Sequence, residues 1–311
     1  MKKTIAIVTP CYNEVDNIEK MVIAVKEQFL ILKDYDYVHL FIDNNSNDGT
    51  YQKIKDIAKT NSQVRAIINA RNFGYIRSSF YGLIDLDADA TILISCDFQE
   101  PPSLIYDFVK EWEKGELIVA GIKVSSEEGK LKRMLRTAYY KILNKFSESE
   151  LIDHFFDFGL YDHKVILKLR GIKDQNPYLR GLVCDLGFKI KQIDFKQNKR
   201  LHGKTKQNWY NLLDTALIGL TSQSKVPLRF ATIFGVILSI FSLFVSITYL
   251  IIKLFMWDEF DMGMAPIVVG IFFIASFQLI SIGIIGEYVG SIRDQTIKRN
   301  YVEVRERVNF P

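Results

Sequence analysis

The residues with the clearest chemical meaning stand in a short segment, CDFQEPP, near the end of an apolar run. Ala90–Ile94 has the length and composition of a buried β-strand, and Asp97 and Gln99 follow it closely. Carboxylate and amide oxygens are ligands that Mg²⁺ and Mn²⁺ prefer, and such ions often take only one or two protein carboxylates when they also bind phosphates. Asp97 and Gln99 are therefore predicted to hold a divalent cation, with two prolines stiffening the loop behind them. The competing interpretation is that Asp97 only caps the next helix.

Four apolar runs alternate with segments of helical periodicity, which predicts βαβ units and a parallel sheet. The predicted strands are Ile5–Thr9, Val38–Ile42, Val64–Ile68 and Ala90–Ile94, and the predicted helices are Asn17–Leu32, Tyr51–Lys59 and Ser78–Leu86. Ligands of such sheets bind outside the carboxyl ends of the strands. We therefore expect residues 10–14, Asp43, Arg71 and Asp97 to lie along one edge of the sheet.

Two apolar blocks, Ala231–Ile252 and Met264–Gly286, contain no Asp, Glu, Lys or Arg. Each would span roughly 33 Å as a helix at ~1.5 Å per residue, which is enough for the hydrocarbon core of a bilayer. Buried helices of a soluble domain are the alternative. An acidic loop with Trp257 separates the blocks, whereas basic residues flank them on their outer sides: Lys225, Arg229, Arg293, Lys298 and Arg299. The positive-inside rule predicts a transmembrane hairpin with both ends in the cytoplasm.

Bulk composition excludes several other classes of protein. The chain has 311 residues and a formal net charge of only +4, which does not favour a nucleic-acid-binding function. Its three cysteines are widely spaced and match no zinc pattern. The first apolar stretch is too short for a secretory signal and is predicted to be a strand. No GxGxxG follows this strand, which argues against a nicotinamide-dependent dehydrogenase.

The order and spacing of several short motifs resemble glycosyltransferase family 2, and within it the polyprenyl-phosphate glycosyltransferases such as dolichyl-phosphate mannose synthases and bactoprenol glucosyltransferases. The motifs are PCYNE (10–14), SNDGT (46–50), RNFG (71–74), CDFQEPP (96–102), DFGLYD (157–162), YLRGLV (178–183), RLHGKTK (200–206) and GEYVG (286–290). They cover nearly the whole chain. The resemblance implies an α/β fold with a GT-A-like (Rossmann-like), mostly parallel sheet domain, followed by an α-helical transmembrane hairpin.

The resemblance also implies roles for individual residues. Those expected to bind the nucleotide-sugar are Pro10, Tyr12, Glu14, Asp43 and Arg71. Asp97 and Gln99 would bind Mg²⁺ or Mn²⁺ on the donor diphosphate, and Asp157 would lie near the transferred sugar and the acceptor phosphate. The basic residues expected to bind phosphates are Arg133, Arg180, Arg200 and Lys206. Guanidinium groups match phosphate oxygens in geometry, and Lys adds a point charge.

Five positions depart from the pattern usual in the family. Ser95 replaces the first acid of the metal motif, and Asn44 replaces an acid after Asp43. Gly159 and Gln197 each replace an arginine, and Asp185 replaces an aromatic residue. These departures bear on the metal geometry, on the donor sugar and on whether the enzyme is weakened.

The predicted reaction is transfer of one sugar, with inversion at the anomeric carbon, from a nucleotide-sugar to undecaprenyl or another polyprenyl phosphate. A UDP-hexose or UDP-N-acetylhexosamine is the default donor by analogy with the bacterial enzymes, and a guanosine donor stays open. The expected place is the cytoplasmic face of the cell membrane, where the product would serve cell-surface glycan modification. Partners are the donor, the lipid acceptor and the bilayer, and a homo-oligomer is compatible with the resemblance.

Two alternatives remain open from the sequence. A processive polysaccharide synthase is suggested by QNKRL at residues 197–201. Against it, the tryptophan of the QxxRW motif is absent, and two membrane helices are few for a polymer channel. A degenerate, non-catalytic membrane scaffold is favoured slightly by Ser95 and Gly159. The retained Asp97 and Gln99 argue against the scaffold.

The sequence predicts four segments. Residues 1–207 form the cytosolic catalytic domain, and residues 208–229 form an amphipathic juxtamembrane helix and linker. Residues 230–290 contain the two transmembrane helices, and residues 291–311 form a cytosolic C-terminal tail. Trp209 and Tyr210 would suit a membrane interface in the second segment. Its leucine stripe also fits an ordinary helix packed on the soluble domain.

Overall fold

The computed structural model describes residues 2–125, 152, 155–198, 225–255, 264–297 and 300–310. The strands are β1 (Lys3–Cys11), β2 (Tyr35–Asp43), β3 (Val64–Asn69), β4 (Ala90–Leu93), β5 (Ile118–Ser125), β6 (Phe155–Asp162), β7 (Ile190–Lys196) and β8 (Val304–Val308). The helices are α1 (Val15–Ile31), α2 (Thr50–Thr60), α3 (Tyr75–Asp85), α4 (Leu104–Glu113), α5 (His163–Arg170), α6 (Leu179–Asp185), α7 (Val226–Phe255) and α8 (Met264–Thr296).

The described strands form one sheet in the order β7-β5-β6-β4-β1-β2-β3-β8. The central strands β4, β1, β2 and β3 are parallel, as the alternation of strands and helices predicts. β6 runs antiparallel to both of its neighbours, and β5 and β7 pair in parallel. The mostly parallel sheet is therefore confirmed, with antiparallel pairing on either side of the central strands.

Helices cover both faces of the sheet, so that successive residues of each central strand are buried on opposite sides. Ile5 and Ile7 of β1 pack into one apolar cluster, which α1, α2 and α4 complete. Ala6 and Val8 pack into the other, which α3, α5 and α6 complete. Burial on both faces explains why these strands are nearly continuous apolar runs rather than alternating ones. Their carboxyl ends therefore carry the first polar residues of each unit.

The C-terminal segment differs from the tail that the sequence predicts. Val304–Val308 forms β8, which pairs antiparallel with β3 and extends the central sheet. Ion pairs tie it to both faces, since Lys55 Nζ lies 2.7 Å from Glu306 and Arg307 binds Asp85 at 2.5 Å. The short, highly charged strand covers an edge that would otherwise expose unpaired backbone groups. The sequence predicts a tail here because this segment is highly charged and lies near the end of the chain.

Helices α7 and α8 are both long and apolar enough to cross a membrane. The qualifying segments are Val226–Val245 and Gly270–Arg293, with mean hydropathies of 2.2 and 1.7. Neither segment is buried inside the protein, which distinguishes them from core helices. The acidic loop between the predicted hairpin helices and most of the predicted juxtamembrane segment lie outside the described residues.

Helix α3 approaches the sheet closely at Gly82, which gives a test of the packing. A β-carbon at this position would stand 2.3 Å from Ile42 Cδ1 and 2.9 Å from Val8 Cγ1. We expect Gly82→Ala to lower the free energy of unfolding by about 1–3 kcal/mol, because overpacking forces α3 away from β1 and β2. Urea denaturation in detergent, followed by tryptophan fluorescence, measures the change. Gly235→Ala is the control, since its β-carbon meets no atom within 4 Å; equal stability of the two variants would contradict this packing.

Candidate active site

The loops that follow β1 and β2 are tied together by hydrogen bonds from side chains. Asn13 adopts a left-handed backbone conformation, with φ of 56°, and its N–H donates to Ser46 Oγ at 2.8 Å. Asn13 Oδ1 accepts from the Asn47 N–H at 2.9 Å, and the Glu14 N–H donates to Thr50 Oγ1 at 2.8 Å. The PCYNE and SNDGT motifs are therefore two halves of one structural unit at the edge of the sheet.

Asp43 ends β2 opposite Cys11 of β1, and its side chain is fully buried. Its carboxylate accepts hydrogen bonds from the Ser46 N–H at 3.1 Å and from the Ser46 hydroxyl. Burial raises the pKa of Asp43, while the Ser46 hydrogen bonds and the charge of Arg305 oppose that rise. Asp43 thus holds the turn after β2, and contact with a ligand would require Ser46 to move.

Asn44, one of the departures from the family pattern, connects the end of β2 to the loop after β3. Its Oδ1 accepts from the Phe73 N–H at 2.9 Å and from Asn69 Nδ2 at 3.1 Å. Its Nδ2 donates to Asn72 Oδ1 at 2.9 Å. An ionised acid has no hydrogen to donate, so the last bond requires an amide. Asparagine in place of an acid at position 44 is therefore explained by its hydrogen bonds to the RNFG loop.

Arg71 lies in the loop after β3, at the carboxyl end of the sheet as predicted. Its guanidinium stacks 4.0 Å from the centroid of the Phe73 ring, and Nη1 donates to the Asn72 carbonyl at 3.1 Å. These contacts hold the arginine on the surface of its own loop. The described structure therefore places Arg71 on the predicted edge without joining it to Asp43 or Asp97 by a hydrogen bond.

The CDFQEPP loop turns back on itself after β4. Phe98 is left-handed, with φ of 60°, and the Gln99 N–H donates to Asp97 Oδ1 at 3.2 Å. Glu100 reaches back across the turn, and its Oε2 accepts from the Ser95 N–H at 2.7 Å. Asp97 is buried, with 8% of its surface exposed. Its carboxylate therefore lies within a closed turn that also contains Gln99 and Glu100. The side chains of all three residues can offer oxygen atoms to a metal ion.

Glu100 is a further acid at this site, which the motif analysis did not single out. Burial raises its pKa to about 8, against the opposing effect of the Ser95 hydrogen bond, and the charges of Asp97 and Asp157 add to the rise. The carboxylates of Asp97 and Asp157 are therefore both close enough to Glu100 to affect its charge. An acid placed three residues after Asp97 was the available signal in the sequence.

Asp157 lies in a β-bulge where β6 faces β5. The pairs Ala120–Gly159 and Ile122–Phe155 leave three residues of β6 opposite Gly121, and Asp157 takes a left-handed conformation with φ of 69°. Bulges re-aim side chains and are common beside active sites. Arg180 Nε, from α6, lies 3.2 Å from Asp157 Oδ1 in a largely buried ion pair. The bulge and α6 thus bring two predicted site residues together.

At Gly159 the backbone of β6 lies against the backbone of β5. A β-carbon there would meet the Val119 carbonyl oxygen at 2.5 Å. This backbone therefore has no room for the arginine that is usual in the family at this position. Arg180, with its guanidinium beside Asp157, supplies a positive charge to this part of the site from a different element.

Two buried thiols stand among the site acids. Burial raises the pKa values of Cys11 and Cys96 well above the ordinary range, and the charge of Glu14 raises both further. They remain neutral and unreactive near pH 7. Glu14 itself accepts from Asn17 Nδ2 at 2.6 Å, which fixes it at the start of α1.

The residues expected along one edge of the sheet do lie at the carboxyl ends of β1 to β4. Some of the other predicted site residues fall outside the part of the chain that the structure describes. Pro10 pairs with Ile42 in the sheet, and Tyr12 follows β1 at the same end. Three predicted phosphate-binding residues lie outside the described residues: Arg133, Arg200 and Lys206. Among described residues, no group of three or more His, Cys, Asp or Glu side chains could hold a metal ion.

Several known proteins are similar in sequence to nearly the whole of this chain. The family model "Glycosyl transferase family 2" matches residues 6–170. The chain is 32% identical to the Bacillus subtilis glycosyltransferase CsbB, over 99% of this chain and 92% of that protein. It is 30% identical to the Escherichia coli prophage bactoprenol glucosyl transferase homolog, over 98% and 97% of the two chains, and 30% identical to the bactoprenol glucosyl transferase of Shigella phage SfII, over 98% and 96%.

A solved structure with a similar sheet is the mannosyltransferase PcManGT from Pyrobaculum calidifontis, in complex with GDP-Man and Mn²⁺. The two chains are 13% identical, with a TM-score of 0.48 over 71% of this chain and 63% of that one. The family assignment does not depend on this likeness. The family model and the full-length relatives show that this chain belongs to glycosyltransferase family 2 and is a glycosyltransferase with a GT-A-like sheet domain.

Proposed function

We propose that the enzyme transfers a single sugar from a nucleotide-sugar to polyprenyl phosphate at the cytoplasmic face of a membrane. The observation that carries this proposal is the meeting of two differently charged groups at one sheet edge. The acidic loop with Asp97 follows β4, and Asp157 stands on the neighbouring strand β6, paired with Arg180 of α6. The first suits a donor diphosphate with its cation, and the second suits an anionic acceptor beside the sugar.

Asp97 and Gln99 fit a divalent cation by the chemistry of their donor atoms. Both offer hard oxygen ligands in one turn, and an ion that also binds phosphates needs few protein carboxylates. When bound there, Mg²⁺ or Mn²⁺ would supply positive charge that stabilises the nucleoside diphosphate as it departs. Glu100 keeps the turn closed through the Ser95 N–H, which holds Asp97 in place although the first acid of the usual motif is absent.

The reaction forms a bond from an acceptor phosphate oxygen to the anomeric carbon and breaks the bond from that carbon to the diphosphate oxygen. The electron pair of the broken bond leaves with the nucleoside diphosphate, and inversion follows from attack on the opposite face. A phosphate monoester is largely dianionic at neutral pH, its second pKa being about 6, so little proton removal is needed. The chain must instead overcome repulsion between two anions.

The positive charge of Arg180 would reduce that repulsion by neutralising the acceptor phosphate. Asp157 orients Arg180 through their ion pair. A guanidinium matches phosphate oxygens in geometry and stays charged at all relevant pH values. Asp157, held in its bulge, fixes the arginine at 3.2 Å and is placed to accept a hydrogen bond from the sugar or to position the acceptor. Asp157 is therefore assigned to positioning rather than to general-base catalysis.

Two membrane-length helices support a lipid acceptor, and the relatives named as bactoprenol glucosyl transferases support its polyprenyl class. Those names also favour a hexose as the transferred sugar. A UDP-hexose is the default donor, with a UDP-N-acetylhexosamine or a guanosine donor as alternatives for the same assay. The purified full chain, supplied with undecaprenyl phosphate, Mg²⁺ or Mn²⁺ and a panel of radiolabelled nucleotide-sugars, should form a lipid-linked monosaccharide. A polymer would indicate a processive synthase, and no product with any donor would favour the scaffold.

Replacing the candidate metal-binding acid should abolish transfer without unfolding the protein. We expect Asp97→Asn to lower kcat by about 10²–10³, because the carboxylate that would hold the cation beside the departing diphosphate is lost. Initial rates at saturating substrates and Mn²⁺ measure the effect. Asp36→Asn is the control, since Asp36 is an exposed residue near the opposite end of β2. A rate above about a tenth of the original in folded Asp97→Asn would contradict the assignment.

Removing the guanidinium beside Asp157 should affect the acceptor more than the donor. We expect Arg180→Met to raise the apparent KM for polyprenyl phosphate by about tenfold, corresponding to ~1.4 kcal/mol, and Arg180→Lys to restore part of it. Arg200→Ala and Lys206→Ala carry the same expectation from the sequence. Steady-state kinetics with each substrate varied separately measures both KM values. A rise confined to the nucleotide-sugar KM would place Arg180 on the donor diphosphate instead.

A further inference from the structure

The strand β8 carries a cation to the donor end of the site, which the sequence analysis did not anticipate. After the two apolar helices the chain returns to the sheet and pairs with β3. Three successive charged residues lie in this strand: Arg305, Glu306 and Arg307. Two of them have evident structural partners, since Glu306 binds Lys55 and Arg307 binds Asp85.

Arg305 is set apart from the other two by a β-bulge. Ile68 pairs with Glu306, whereas Asn69 pairs with Val304, so the register shifts by one residue and Arg305 is the extra one. A bulge residue is left out of the ladder and its side chain is re-aimed. The strand therefore turns Arg305 toward the loop after β2, although Arg307, two residues on, reaches Asp85 and Tyr81 of α3.

The contacts of Arg305 place it beside the nucleotide side of the site. Nη1 donates to Asn45 Oδ1 at 3.4 Å, and the guanidinium lies 5.1 Å from the centroid of the Tyr51 ring. Burial raises the pKa of Asp43, and the positive charge of Arg305 is close enough to oppose that rise. Among the described residues Arg305 forms no ion pair, and its side chain is exposed. A guanidinium held by one long hydrogen bond and a ring face is available to a ligand.

The strand order indicates which part of a nucleotide-sugar Arg305 would meet. Neighbouring strands lie about 4.8 Å apart, so β2 is roughly 10 Å and β8 roughly 19 Å from β4, which precedes Asp97. With its diphosphate beside Asp97, the donor would extend toward β2 and β3 with its base at the far end. Arg305 would then meet the base and not the diphosphate.

We propose that Arg305 selects the nucleobase of the donor by donating hydrogen bonds to a ring carbonyl oxygen. This inference rests on the proposed function. A guanidinium has five N–H donors and no acceptor. It therefore matches the carbonyl oxygen of uracil or guanine, and it opposes the amino group that cytosine and adenine present at the equivalent place. The enzyme would accordingly favour a donor with a keto base.

Direct nucleotide binding tests the inference separately from catalysis. UDP, GDP, CDP and ADP are titrated into the purified full chain in detergent with Mn²⁺, and affinities are measured by calorimetry. We expect UDP or GDP to bind best, and Arg305→Met to weaken that nucleotide by about 10–100-fold while CDP and ADP change little. Arg305→Lys should recover only part of the loss. Arg307→Met is the matched control, since it removes an arginine of the same strand that faces α3, and its nucleotide affinities should stay unchanged.

Several outcomes would overturn the inference. Unchanged binding in Arg305→Met, or equal weakening of all four nucleotides, would exclude a base-selecting role, the second outcome indicating a contact to phosphate. A loss of the same size in Arg307→Met would indicate disruption of β8. If the unmodified enzyme binds no nucleoside diphosphate, the proposed function fails with it. If it transfers sugar but Arg305→Met keeps the same base preference, only the present inference fails.

Discussion

The parallel pairing of β1 with β2 and β4 is the constraint on which the site depends. Apolar side chains buried on both faces of these strands hold the register in which Cys11 lies opposite Asp43 and Val8 opposite Leu93. A slip of one residue would turn every buried side chain to the wrong face. Because parallel strands end at one edge, this register alone brings the PCYNE loop, the SNDGT loop and the CDFQEPP loop to the same place.

Polar side chains then set the shape of that edge. Asn13, Ser46 and Thr50 tie the loops after β1 and β2, and Asn44 ties the latter to the loop after β3. Buried polar groups of this kind stabilise a structure only when their hydrogen bonds are made, so each one constrains its neighbours. The acids at the ends of β1 and β2 are thus held mainly by hydrogen bonds to uncharged side chains. This arrangement leaves the cations, Arg180 and Arg305, to approach from other elements.

Two departures from the usual family pattern acquire physical reasons in the structure. Asn44 supplies an N–H donor that an acid lacks, and Gly159 stands where β5 leaves no space for a side chain. Ser95 donates only its backbone N–H to the buried acid Glu100, a bond that any residue could make, so this contact does not explain the serine. The structure offers no account of Gln197 or Asp185 either. The explained departures concern local fit and leave the candidate chemical groups in place, which favours an active enzyme over a scaffold.

The sequence by itself determined the central sheet, the membrane-length helices and the edge where the site lies. Continuous apolar runs and polar strand ends are local signals, and they identify β1 to β4, Asp43 and Asp97 without knowledge of any distant contact. Tertiary structure alone decided that Arg180 meets Asp157 in a bulge, that Glu100 folds back on Ser95 and that Arg305 reaches the turn after β2. These contacts join residues through turns, bulges and an edge strand separated from its neighbour by more than 200 residues of chain. No periodicity in a sequence records such pairings, because they arise from where the packed elements end in space.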